Sequence, residues 1–110
     1  MKRKTALITG ATSGIGMACA RRFAIGGYNL IITGRSADKL QLLKAELETD
    51  GVSVLNLAFD VRDRNATREA LTSIPQEFKP IDVLINNAGL ARGLEPEYEG
   101  SFQDWDEMID

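Results

Sequence analysis

The chain has 110 residues, 44% of them hydrophobic, with 13 basic and 16 acidic side chains and a net charge of −3. That is one domain at most, with enough apolar material for a core, and the slightly acidic balance argues against general nucleic-acid binding. The chain has no histidine, which excludes Ser-His and Cys-His nucleophile systems and most zinc sites, and no metal site is expected.

The basic lead-in Lys2-Arg3-Lys4 is short and reads as a solvated approach to a strand. Residues 1–8 are basic and then apolar, but Gly10 ends the run too soon for a signal peptide or a membrane span, so no membrane partner is expected. Residues 5–9 read as a buried strand, because a continuous apolar run suits a parallel strand covered on both faces. The turn Thr9-Gly10-Ala11-Thr12-Ser13-Gly14-Ile15-Gly16 follows, and then a helix. Its apolar stripe is read as Ile15, Ala18, Cys19 and Phe23, with Arg21 and Arg22 facing away and Gly26-Gly27 capping its end. Cys19 is the one cysteine and cannot form an internal disulfide. It reads as a small core residue of a reduced, cytoplasmic protein, the alternative being a reactive thiol.

Residues 28–33 form the second predicted strand. Gly34-Arg35-Ser36 is a turn with Ser36 as N-cap, and Leu40, Leu43 and Leu47 mark the next helix, which stops near Asp50-Gly51. A third strand is expected over 52–59, then a helix capped by Asp63 that carries Ala70, Leu71 and Ile74. Pro75 and Pro80 bracket its exit, and residues 81–85 make a fourth apolar strand that runs into Asn86-Asn87-Ala88-Gly89. Residues 90–100 are irregular; Ser101-Phe102-Gln103-Asp104 resembles a capping box, opening a helix with Phe102, Trp105 and Ile109 on one face. Basic residues stop at Arg92 while acids recur from Glu95 to Asp110, which reads as a solvated acidic face. Alternating strands and helices predict an α/β domain with a parallel sheet and right-handed crossovers.

Four places on this frame could carry chemistry. The glycine turn sits where a central strand meets a helix; unpaired N–H groups and the positive helix end there suit a pyrophosphate, and Thr12 and Ser13 add hydroxyls. Its spacing, Gly10-x-x-x-Gly14-x-Gly16, differs from GxGxxG, and without a lysine after the last glycine it is not a phosphate loop of the Walker type. A glycine-rich turn without a ligand accounts for the same residues. Arg35 stands where dinucleotide folds place an acid for the ribose 2′-hydroxyl, so it and Ser36 favour a 2′-phosphate and hence NADP; an exposed arginine after a strand is the alternative. Asp60 suits an adenine amino group, with Val61 against the ring, or is simply a turn aspartate. Asn86 and Asn87 need partners for their amides, either in tying strand ends together or in facing a ligand.

Thr9 to Gly16, Asp60-Val61 and Asn86 to Gly89, in this order and at suitable spacing, resemble the cofactor motifs of the short-chain dehydrogenase/reductase superfamily. Within it, residues 86–110 are similar to NADP-dependent 3-hydroxy acid (serine) dehydrogenases. The resemblance implies a Rossmann-type doubly wound parallel sheet of about four strands in the order 3-2-1-4. It implies that Gly10, Ser13, Gly14, Ile15 and Gly16, with Thr12, hold the pyrophosphate and nearby ribose. Arg35 and Ser36 would meet the 2′-phosphate, Asp60 and Val61 the adenine, and Asn87, followed by Ala88 and Gly89, the ribose beside the nicotinamide. Ser36 departs from relatives that carry a second basic residue there. The implied reaction is hydride transfer between NADP and a small hydroxy acid or alcohol, in an enzyme that forms a homo-oligomer at full length.

The family's tyrosine acid/base and the lysine four residues later are missing: Tyr28 and Tyr98 are followed at that distance by Ile32 and Phe102. The chain is therefore expected to be the N-terminal, cofactor-binding half of such an enzyme, inactive by itself and with no catalytic residue. A non-catalytic nucleotide-binding module and a fragment without function are the alternatives. In the order 3-2-1-4 the fourth strand would be left as an open apolar edge, so the isolated polypeptide is expected to be marginal and prone to association.

Overall fold

A computed structural model describes residues 2–87. The elements are β1 (Thr5–Thr9), α1 (Gly14–Ile25), β2 (Asn29–Gly34), α2 (Ala37–Glu48), β3 (Val54–Ala58), α3 (Arg64–Thr72), a 3-10 turn (Gln76–Phe78) and β4 (Val83–Asn86). The strands pair in parallel in the order β3-β2-β1-β4. The expected loop over 90–100 and the helix holding Phe102, Trp105 and Ile109 lie outside the described residues, as do Ala88 and Gly89.

Successive strand residues point to opposite faces of the sheet, so each apolar run supplies two cores. Ala6, Ile8, Leu30, Ile32 and Val54 meet Ala20 and Ala24 of α1 and Leu40, Leu43 and Leu47 of α2. Leu7, Ile31 and Leu84 turn the other way, onto Leu71, Ile74 and Phe78. Leu7 stands opposite both Ile31 and Leu84. β1 is buried along its whole length because strands flank it and helices cover both faces.

The buried face of α1 differs from the expected stripe. Gly16, Ala20 and Ala24 are buried, whereas Ile15 is 63% exposed and Ala18 is also exposed. Cys19 and Phe23 pack only partly against the core. The helix lies close to the sheet, so its inner face needs small residues four apart, and the larger side chains flank it. A stripe chosen by apolar bulk misses a face chosen by closeness.

Local chemistry fixes the helix ends. Past Gly26, Gly27 adopts φ +88°, Gly27 N–H donates to Ala24 O, and Tyr28 N–H donates to Phe23 O, each at 3.0 Å. This double reversal needs the left-handed conformation that glycine adopts freely, and it brings Tyr28 edge-on to Phe23 at 4.8 Å between ring centres. Ser36 and Asp63 cap α2 and α3, accepting from Lys39 N–H at 3.2 Å and Ala66 N–H at 3.0 Å. α3 ends at Thr72, before Ile74, and Thr67 rather than Ala70 is buried within it. The 3-10 turn that seats Phe78 had no counterpart in the sequence pattern. β3 is shorter than residues 52–59, and β4 lies further along than residues 81–85, which brings Asn86 opposite Thr9. Among the described residues β4 has one strand neighbour, β1.

Leu7 is fully buried at the centre of the second core. Leu7→Ala is expected to lower stability by about 3 kcal/mol, within the usual span for a buried leucine. Urea denaturation checks this, and a loss below about 1 kcal/mol would contradict the packing described.

Candidate nucleotide-binding cleft

A parallel sheet sends every strand end in one direction. Gly10, Arg35, Asp60 and Asn87, each just beyond a different strand, therefore collect at one edge. They line a cleft of about 370 Å³, with Thr12, Ser13, Thr33, Gly34, Phe59, Val61 and Arg62. Among the described residues, no group of three His, Cys, Asp or Glu side chains could hold a metal ion, and no helix is long and apolar enough to cross a membrane.

The glycine turn is tied from three sides. Gly10 adopts φ +60°, and Ala11 N–H donates to Thr33 O at 3.0 Å, fastening the turn to β2. Ser13 caps α1: its Oγ receives the Gly16 N–H at 3.4 Å and donates to Gly10 O at 2.9 Å. From β4, the Asn87 amide donates to Gly10 O at 3.0 Å and to Ser13 Oγ at 2.6 Å. The Ser13 hydroxyl proton is therefore directed at Gly10 O, and Thr12 is the hydroxyl residue of the turn that faces the cleft without such a bond to the turn itself. Asn86 makes a separate tie, accepting from Thr9 Oγ1 at 2.8 Å inside the protein. Both asparagine side chains thus join strand ends, one reaching the neighbouring strand and the other the turn.

Gly16 does not line the cleft. A Cβ there would lie 2.1 Å from Gly10 O and 2.9 Å from Asn87 Nδ2. Its role is to let α1 meet the turn. A Cβ on Gly14 would meet nothing within 4 Å, so this glycine borders open space, although it too lies outside the cleft lining. The first N–H groups of α1 have no partner within the helix, and the helix end carries about half a positive charge. Open space, unpaired donors and positive potential suit a phosphate group, and the cleft is of a size that small-molecule sites commonly have.

At the far end, Phe59 N–H donates to Gly34 O at 2.8 Å, holding the exits of β2 and β3 together. Arg35 and Asp60 stand one residue beyond each. The Asp60 carboxylate is gripped by Arg62, whose Nη2 lies 2.7 Å from Oδ2. These bonds from Arg62, with its charge and that of Arg35, hold Asp60 well below the usual carboxylate range. Ser36 is placed as the cap of α2, beside the cleft but outside its lining. Ile15 is exposed at the start of α1, also outside the lining. Arg62 and Thr33 are cleft residues that the motifs did not indicate. Thr33 is fully buried with no partner for Oγ1. Its signal was the strand period, which places it on the same sheet face as Ile31.

The two glycines of α1 are expected to respond oppositely to substitution. Gly16→Ala forces backbone against methyl and should cost about 2 kcal/mol, as overpacking does. Gly14→Ala should leave the thermal midpoint unchanged or slightly raised. Thermal melts of both variants check this, and a Gly16→Ala midpoint equal to wild type would contradict the close approach of α1.

A family model described as short chain dehydrogenase matches residues 4–110. The chain is 48% identical over 110 residues to a probable NADP-dependent dehydrogenase of Haemophilus influenzae, covering all of this chain and 42% of that protein. It is 49% identical over 106 residues to a serine 3-dehydrogenase of Agrobacterium fabrum, covering 96% of this chain and 41% of the relative. The structure is similar to that of L-sorbose reductase from Gluconobacter frateurii complexed with NADPH and L-sorbose: TM-score 0.74, 37% identity, 81% of this chain and 34% of the other. It is also similar to serine dehydrogenase from Escherichia coli, at TM-score 0.67 and 42% identity over 74% of this chain and 36% of the other. The chain spans about two fifths of the length of these curated relatives. The strand order β3-β2-β1-β4, the glycine turn at its centre and a family match over nearly every residue agree: the chain belongs to the short chain dehydrogenase family.

Proposed function

We propose that this chain binds NADP(H) along the C-terminal edge of its sheet, as the cofactor-binding part of an NADP-dependent short-chain oxidoreductase. One observation carries the reading. A single cleft joins the turn from Gly10 to Ser13, with Asn87 beside it, to Arg35 and Asp60: the approach to α1 at one end and a guanidinium beside a carboxylate at the other. The pyrophosphate lies against the turn from Gly10 to Gly16, with Thr12 facing it, Gly14 and Ile15 supplying N–H groups, and Ser13 shaping the turn. Asp60 and Val61 hold the adenine. Arg35, beside Ser36, pairs with the 2′-phosphate, and Asn87, with Ala88 and Gly89 after it, borders the nicotinamide ribose. An acid in place of Arg35 would repel that phosphate, so the residue type decides between the two nicotinamide cofactors. The relatives support this, since several are NADP-dependent 3-hydroxy acid dehydrogenases.

When bound, NADP takes up or delivers a hydride. The substrate class proposed is a small hydroxy acid or alcohol, by likeness to the serine and hydroxy acid dehydrogenases, and the whole enzyme would be a cytoplasmic homo-oligomer. These 110 residues contain no Tyr-x-x-x-Lys pair. We therefore assign them cofactor binding without turnover: they hold and orient the nucleotide.

Titration of NADPH and NADH, followed by their fluorescence, tests the reading. NADPH is expected to bind the more tightly. Arg35→Ala should weaken NADPH about thirtyfold, the scale of one charged hydrogen bond of ~2 kcal/mol, and leave NADH nearly unchanged. Equal affinities for the two nucleotides in the wild-type chain would remove the role given to Arg35. An assay of the chain with serine and NADP should show no reduction of the cofactor, and measurable turnover would refute the assignment.

A further inference from the structure

One arginine occupies both oxygens of the Asp60 carboxylate. Oδ1 accepts from the Arg62 backbone N–H at 2.9 Å and from Nε at 3.1 Å; Oδ2 accepts from Nε at 3.1 Å and from Nη2 at 2.7 Å. Three N–H groups thus make four hydrogen bonds to a carboxylate that offers about four lone-pair sites, Nε being shared between the two oxygens. Asp60, Arg62 and Arg35 line the same end of the cleft. They meet because Gly34 stands opposite Ala58 in the sheet and also accepts the Phe59 N–H.

This arrangement sets a carboxylate beside the arginine assigned to the 2′-phosphate. An uncovered carboxylate would repel that phosphate and compete for Arg35. Asp60 stays ionised at neutral pH, since its proton affinity is held low, so a cation rather than a proton must offset it. Asp63, the next acid, is committed to capping α3.

We propose that Arg62 is a positioning residue that sets nucleotide specificity: by gripping Asp60 from both sides it keeps Arg35 free for the 2′-phosphate. The inference rests on the NADP reading above. Arg62 acts through Asp60 and need not touch the nucleotide. With the pair closed, the three side chains together carry one positive charge; without Arg62 they would carry none.

The test is the ratio of NADPH to NADH affinity, measured by fluorescence titration of the 110-residue chain and three variants. Adenine is common to both nucleotides, so any change in its own contact cancels in the ratio. Arg62→Ala should lower the ratio about fivefold, the scale of one screened charge interaction near a surface. Arg62→Lys, which keeps the charge, should stay within about twofold of wild type. Asp60→Asn combined with Arg62→Ala should return to the wild-type ratio, because no carboxylate is then left to cover. An unchanged ratio in Arg62→Ala overturns the proposal. So does a double variant as poor as Arg62→Ala alone, since Arg62 would then meet the phosphate itself. Failure of the wild-type chain to bind either nucleotide would instead remove the NADP reading, and this inference with it.

Discussion

The carbonyl of Gly10 is the point on which the cleft depends. It receives the Ser13 hydroxyl, the Ser13 N–H and the Asn87 amide, the last from 77 residues away. Through Asn87 the end of β4 holds the turn that follows β1, and through Ala11 the turn is held to β2. Hydrogen bonds of this kind are individually modest, but three donors converging on one carbonyl hold the turn from several sides at once. The turn is therefore a preformed cradle. Under the proposed function, little ordering would remain to be done when an anion arrives. Gly16 makes the arrangement possible, because a methyl there would strike the same carbonyl.

The opposite end of the cleft is governed by charge. Arg35, Asp60 and Arg62 crowd together because the exits of β2 and β3 are bonded to each other. Such exposed charges contribute little to folding. Under the proposed NADP reading their value lies in discrimination, because a dianionic phosphate would respond to the net sign of that corner. On that proposal, shape at one end and charge at the other divide the work of recognising a long nucleotide.

Much of the frame was legible in the sequence because it rests on local chemistry. The strands were marked by apolar runs, and the caps Ser36, Asp63 and Gly26-Gly27 by residue types that satisfy helix ends. The doubly wound order followed from alternation and resemblance, and the sheet has that order. What escaped was set by distance and fit. The inner face of α1 is formed by Gly16, Ala20 and Ala24, which no hydrophobic count would select. The bond from Asn87 to Ser13 joins residues 74 apart, and no spacing rule announces it. For Asn86 and Asn87 the sequence left open whether they tie strands or face a ligand; the geometry shows both making ties. Asp60 was singled out without Arg62, because a pair two residues apart in a turn has no periodic signature.

The most direct test of the central claim is a titration of the isotopically labelled chain with NADP, followed by amide and arginine side-chain resonances. If the nucleotide lies along the C-terminal edge of the sheet, the amides of Gly14 and Ile15, the Arg35 side chain and the Asp60 to Arg62 segment should shift together with one saturation curve. Saturable binding that leaves those resonances in place would contradict the account.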